Sequence, residues 1–403
     1  MTITSRAVPD PNLRSNIRNL YLDVFWWGIL GGSTVSFLNV FATRLGASSW
    51  QIGLLTAGPA IANLFVSLPA GRWLQGRSLI RTTLYSSIWN RVGYLPLVVL
   101  PWLLPAVGQV WAIALIVFVM SVPGAVLAIS FNSMFAEVVP PDQRGHVVGW
   151  RSVLVSASIS GSSLVCGRLL DWIAFPLNYQ MVFALGALGA VMSSYYLGRI
   201  RSPAAPAPLV GKKKKAGKLL RLDLLRGTFG PFMAAYLLFY ICQNVPVPLF
   251  PLAFVRELRL PDGAISLGTA LFHLSVLLVS TRVGRISNRL SHRRVLIIGA
   301  VLYCLYPLLI GLAPDATLFW VASLLGGVSW ALAGAGLFNH LMERVPPDDL
   351  PAHMAWHNLA LNLGLLGGSL LGPVMGDWLG VRHALLLAAG LRLLSGLLFG
   401  VLR

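Results

Sequence analysis

Asp23, His273, Arg91 and Arg392 are ionisable side chains set inside long apolar stretches of this sequence. In such surroundings a charge must find a partner or be given up. Asp23 is the one carboxylate within an apolar stretch, because the other acids fall at stretch ends or between stretches. It can take up and release a proton when its surroundings change. So can His273, since a histidine titrates near neutrality; His340 and His357 lie nearer stretch ends and rank below it. The same stretches carry the amides Asn39, Asn63, Asn132, Gln243, Asn244, Asn339, Asn358 and Asn362, with Trp27 and Trp330 among the large rings. Scattered amides on broad apolar surfaces suit reversible binding of an amphipathic or neutral small molecule. Nothing here resembles a catalytic set: there is no nucleophile elbow, zinc-binding helix pattern or phosphate loop. Acids do not cluster as magnesium and diphosphate would require. Cys166, Cys242 and Cys304 stand far apart without ligand spacing. No enzyme activity, cofactor or metal is expected.

The stretches that carry these groups define the elements. The chain is 56% hydrophobic and only 11% charged, whereas roughly a quarter of residues carry charge in soluble proteins. Punctuation by Pro, Gly and Arg divides it into twelve apolar stretches, near 17–44, 49–71, 79–102, 108–137, 146–170, 177–198, 229–254, 264–284, 295–313, 316–342, 353–377 and 381–401. Each approaches the roughly 20 residues that cross a bilayer. Lipid offers no partner for free backbone groups, so each must be a helix. The expected class is an all-α, multi-pass membrane protein of twelve transmembrane helices.

A net charge of +18 invites comparison with nucleic-acid binders, but its distribution argues against that partner. If the N-terminus is cytoplasmic, nearly all basic residues, including Arg72, Arg77, Arg285, Arg289 and the Lys212–Lys215 run, fall on the cytoplasmic side. The other side keeps Arg44, Arg168, Arg256, Arg259 and Arg382. This is the positive-inside bias, and it places both termini in the cytoplasm with the helices in the cytoplasmic (inner) membrane. The first residues lack the short apolar core of a removable signal peptide.

The second half of the chain repeats the first. FNSMFAEVVPPDQRGHVVGW (131–150) aligns with FNHLMERVPPDDLPAHMAW (338–356), and Gly161–Trp172 with Gly367–Trp378. Gly71-Arg72…Arg81 is echoed by Gly284-Arg285…Arg294. The expected organisation is a bundle over 1–200, a basic linker over 201–228 and a second bundle over 229–403, with a solute site between the bundles.

On these residues the chain resembles the major facilitator superfamily of secondary transporters, through its six-plus-six layout, the paired Gly-Arg turns and the paired Pro-Pro-Asp loops at 140–145 and 346–349. The resemblance implies two pseudo-symmetric six-helix bundles and alternating access. It also implies a cavity lined by helices 1, 2, 4, 5, 7, 8, 10 and 11. Helices 3, 6, 9 and 12 would be peripheral, so Arg91 and Arg392 would snorkel or tie helices together. An outward-open state would pair Arg72 or Arg77 with Glu343 or Asp348-Asp349, and Arg285 or Arg289 with Glu137 or Asp142. The sequence departs from the family pattern at Gln75 and Asn288, where an aspartate is usual. It also has no arginine within helix 4 and no Gly-Pro pair in helix 5, unlike the drug/proton antiporters. The expected function is active or facilitative transport of a small amphipathic or neutral organic solute, with efflux the expected direction. Asp23 or His273 would be the coupling group if a proton is carried. A monomer in the bilayer, with the solute as its partner, is expected. The alternative is a non-transporting receptor or a pigment or lipid assembly factor on the same fold.

Overall fold

Leucine-, valine- and alanine-rich stretches become helices in the structure, a computed structural model that describes residues 11–74, 76–202, 221–227, 229–345 and 350–401. The side chains of Leu68, Gly71, Arg72, Asn288, Leu350 and Pro351 are outside the described set, as are Gln75, Lys212–Lys215 and Asp348-Asp349. Ten helices are long and apolar enough to cross a membrane: α1 (Leu13–Arg44), α4 (Ala106–Val138), α5 (Pro141–Trp172), α6 (Leu177–Gly198), α7 (Phe229–Glu257), α8 (Asp262–Ser280), α9 (His292–Leu312), α10 (Ala316–Arg344), α11, which the full helix extends to Leu350–Leu379, and α12 (Val381–Val401). Two more complete the expected twelve: α2 (Ser49–Trp73) and α3, built from Leu79–Val92 and Leu95–Leu103.

Local chemistry explains where the elements differ from the apolar stretches. The stretch over 79–102 is not one helix: α3 breaks at Gly93-Tyr94, and Pro96 opens its second piece. A proline carries no N–H and is most easily accommodated in a first turn. The second half repeats this break, with α9 interrupted at Tyr303-Cys304 and Pro307 in the first turn beyond. The loop expected over 140–145 is mostly helix, because Pro141 sits at the first position of α5. The stretch expected to run to 284 ends at Ser280, and a short separate helix, Val283–Leu290, follows. Val283, Ile286 and Leu290 share one side of it and the arginines the other, so it is amphipathic rather than buried.

Packing follows the repeat. α1 lies on α5 and α6 as α7 lies on α11 and α12; α4 packs against α2 and α3 as α10 packs against α8 and α9. The α1–α5 contact is close because Gly32 leaves no side chain: a Cβ there would stand 2.4 Å from Ile159 O. In the second half the same contact is made by Gly368, whose Cβ would be 2.6 Å from Ile241 O of α7. Both long first helices of the halves also carry one wide turn, at Gly31–Val35 in α1 and Ala253–Glu257 in α7. Wide turns of this kind recur at functional sites.

Candidate functional site

The halves touch through α2–α11 and α5–α8, and those contacts lie toward one face. We call the face where α1 begins and α12 ends the near face, and the opposite one the far face. Ser160 Oγ donates to Ala270 O at 3.1 Å, and Ser163 Oγ to Ser266 O at 3.1 Å. Further out, Gly263 N–H donates to Asp171 Oδ1 at 3.0 Å. At the far rim, Arg44 donates to Asp262 Oδ1 from Nε at 3.0 Å and from Nη2 at 2.8 Å, and to Leu260 O at 2.7 Å. Arg256 Nη2 donates to Ala47 O at 2.5 Å. Among the described residues, every hydrogen bond between the halves lies from Ser160–Ala270 outward to this rim. On the near side, a Cβ added at Gly145 or Gly149 of α5 would meet nothing within 4 Å. Among the described residues, the halves are therefore bonded together at the far face and not at the near face.

The expected near-face gate residues do not reach across. Glu343 lies 3.8 Å from His292 of its own half, and the Arg77 guanidinium lies 4.1 Å from the Trp73 ring centre. Glu137, Arg285 and Arg289 make no ion pair among the described residues. The Arg72 side chain, Asp348 and Asp349 lie outside those residues.

Inside the first half, three helices converge on Asp23 of α1, which is 3% exposed. Arg91 Nη2 of α3 lies 3.4 Å from its Oδ1, and Arg151 Nη1 of α5 lies 3.5 Å from its Oδ2. Ser193 Oγ of α6 donates to Oδ1 at 2.5 Å. Arg91 Nη1 donates to Ser194 Oγ at 3.1 Å, and Ser194 meets Ser87 at 2.9 Å. Arg151 Nη1 also donates to Leu20 O at 2.7 Å, and its guanidinium lies 4.7 Å from the Phe131 ring centre. Arg91 is buried and turned inward because a carboxylate waits within reach of its long side chain, and it ties α3 to α1 and α6, one of the two roles the resemblance implies for it. Asp23 is enclosed by guanidinium and hydroxyl groups.

This cluster lines a cavity of about 620 Å³ together with Trp27, Asn90 and Asn132. A second space of about 340 Å³, bounded by Asn39, Asn63 and Pro59, shares Asn90, Tyr94, Gly124 and Ala128 with the first. The structure thus brings Asp23, Trp27, Asn39, Asn63 and Asn132 to a pair of adjacent spaces with a common wall. Sequence reasoning missed Arg151, placed with the near-face basic residues, and Asn90, whose Nδ2 donates to Met120 O at 2.8 Å.

The candidates of the second half stand apart from that space. Asn244 and Asn362 donate to carbonyls of their own helices, Tyr240 O and Asn358 O, each at 2.8 Å. Trp330 packs 5.7 Å from Tyr303, and His273 is half-buried beside Phe272 at 5.5 Å. Asn339 is half-buried and Asn358 exposed. Gln243 O accepts from Arg392 Nη2 at 2.5 Å, and Tyr303 O from its Nη1 at 3.3 Å. Arg392 therefore ties α12 to α7 and α9, as a peripheral arginine was expected to do. His357 Nε2 lies 2.8 Å from Tyr240 Oη, and His340 bonds Tyr236 and Arg344.

Two pseudo-symmetric six-helix halves bonded together at the far face, with a cavity in the first half, fit a secondary transporter of the bilayer. The sequence matches the Major Facilitator Superfamily over residues 25–229 and 232–403, and the chain belongs to that family. It is 22% identical over 390 residues to the Multi-drug resistance efflux pump PmrA homolog of Lactococcus lactis subsp. lactis (strain IL1403), covering 93% of this chain and 91% of the relative. Its fold is similar to that of a D-xylose-proton symporter, with TM-score 0.76 and 14% identity over 97% of this chain and 98% of the other. It is similar also to a bacterial homologue of the iron transporter ferroportin in an inward-facing state, with TM-score 0.72 and 16% identity over 96% and 99% of the two chains.

Proposed function

We propose that the protein exports small amphipathic organic solutes across the cytoplasmic membrane by alternating access. The observation that carries this reading is the cavity around Asp23, reached from the near face while Arg44, Asp262 and Arg256 hold the far face shut. The positive-inside bias assigns the near face to the cytoplasm, so the arrangement is ready to take up solute from inside the cell. The efflux relative supports the direction. The halves over 1–200 and 229–403 would rock about the α2–α11 and α5–α8 contacts, the solute being held chiefly by the first half. The test is flux in proteoliposomes, using solutes chosen by their ability to raise the thermal midpoint of the purified protein. Saturable, protein-dependent flux is expected. Stabilising solutes that never cross would contradict transport and favour a receptor.

Coupling to a proton would pass through Asp23 or His273. The Asp23→Asn and His273→Gln variants are expected to keep counterflow exchange. At least one should lose any acceleration that an imposed pH gradient gives the wild type. If both keep full gradient-driven accumulation, neither residue carries the proton.

A further inference from the structure

We infer that the cavity around Asp23 binds an organic anion, whose acidic group takes the place of Asp23 on Arg91 and Arg151; this deepens the transport reading and rests on it. The first argument is charge. Two guanidinium groups line the cavity, and Asp23 is the one acid among its lining residues. Bound solute therefore meets a net positive wall, which repels a cation and leaves a neutral molecule unable to balance it.

The second argument is geometry. Charge-assisted N–H···O⁻ bonds usually measure about 2.7–2.9 Å and are often paired along one edge of an arginine. Asp23 instead takes one contact from each arginine, at 3.4 and 3.5 Å, and holds its shortest bond, 2.5 Å, with Ser193. It is a loose counterion for both. Arg151 uses Nη1 for Leu20 O and Asp23, while its Nε and Nη2 make no hydrogen bond among the described residues. That side chain is 16% exposed and lines the cavity, its plane braced against Phe131. An arginine edge with two parallel donors recognises a carboxylate, sulfonate or phosphate oxygen pair. Trp27, Tyr94, Leu127 and Phe131 supply the wall for an apolar body, and about 620 Å³ falls within the range of small-molecule sites. The membrane potential, negative inside, would drive such a solute outward without a proton.

The test uses one apolar body in three charge states: naphthalene-1-carboxylate, its primary amide and 1-naphthylmethylamine, titrated against the full purified chain. The carboxylate is expected to bind at least tenfold tighter than either analogue. Arg151→Gln should abolish that preference. Asp23→Asn should tighten carboxylate binding several-fold and leave the amide unchanged, because it removes an internal competitor; a merely structural cluster would weaken all three ligands together. Equal binding of the three by the wild type, or preference for the amine, would overturn the inference, and this comparison needs no variant to fold. Carboxylate preference without flux in proteoliposomes would sink transport and support the anion site. Flux that ignores solute charge would support transport and sink the anion site.

Discussion

Replacing Asp23 with alanine is expected to cost about 3–5 kcal/mol of stability, the range for removing one partner of a buried ion pair. The reason is what remains. Arg91, 6% exposed, would keep its charge with only Ser194 as a side-chain partner, and Ser193 would lose its acceptor. Asp23→Asn keeps an oxygen for Ser193 and should cost clearly less. The double variant Asp23→Leu with Arg91→Met should recover much of the loss, since a buried pair can often be replaced by apolar groups of similar volume without penalty. Reversible unfolding in mixed micelles, followed by tryptophan fluorescence, would measure the series. A loss below about 1 kcal/mol for the alanine variant, the size of a surface ion pair, would mean that the cluster is not formed as described.

The second large effect concerns the far rim. Arg44 makes two bonds to Asp262 and one to Leu260 O, joining the end of α1 to the start of α8. The side chains are 28% and 10% exposed, so water screens part of the attraction. A value of about 1–2 kcal/mol is reasonable, below the sum of fully buried charged bonds. Because these bonds exist only when the far face is shut, Arg44→Ala should shift the balance toward the far-open state by roughly tenfold. Spin labels on the far ends of α1 and α8 would report it as a new population at longer distance. An unchanged distance distribution would show that other contacts, such as Gly53 against Ser369 and Pro373, hold the face closed without help.

Much of the architecture is legible in the sequence, for a physical reason. Lipid forces apolar stretches into helices, and the duplicated Phe131–Trp150 and Phe338–Trp356 segments fix how the halves correspond. The breaks in α3 and α9 escape that reasoning, although Pro96 and Pro307 mark them at matching places. The cluster was only partly legible. Asp23 stands out as an acid among apolar residues, but its partners lie far along the chain, and nothing local says that Arg91 turns inward. Arg151 lies near the start of the apolar stretch over 146–170 and so reads as a near-face basic residue, whereas the helix starts at Pro141 and carries it well inside. Amides are least legible. Asn132 faces the cavity while Asn244 and Asn362 bond their own helices, and residue type does not separate these cases.

Alternating access requires that one cavity be reached from one face at a time. Asn132 is exposed and lines that cavity, and the native Cys166, Cys242 and Cys304 are buried, so an Asn132→Cys variant offers a single reactive thiol. Its labelling by a membrane-impermeant maleimide should be fast in inverted vesicles and slow in right-side-out vesicles. Adding Arg44→Ala should raise the rate from the outside and lower it from the inside. Equal labelling from both faces, or a rate from either face that ignores the Arg44 exchange, would contradict alternating access to this site.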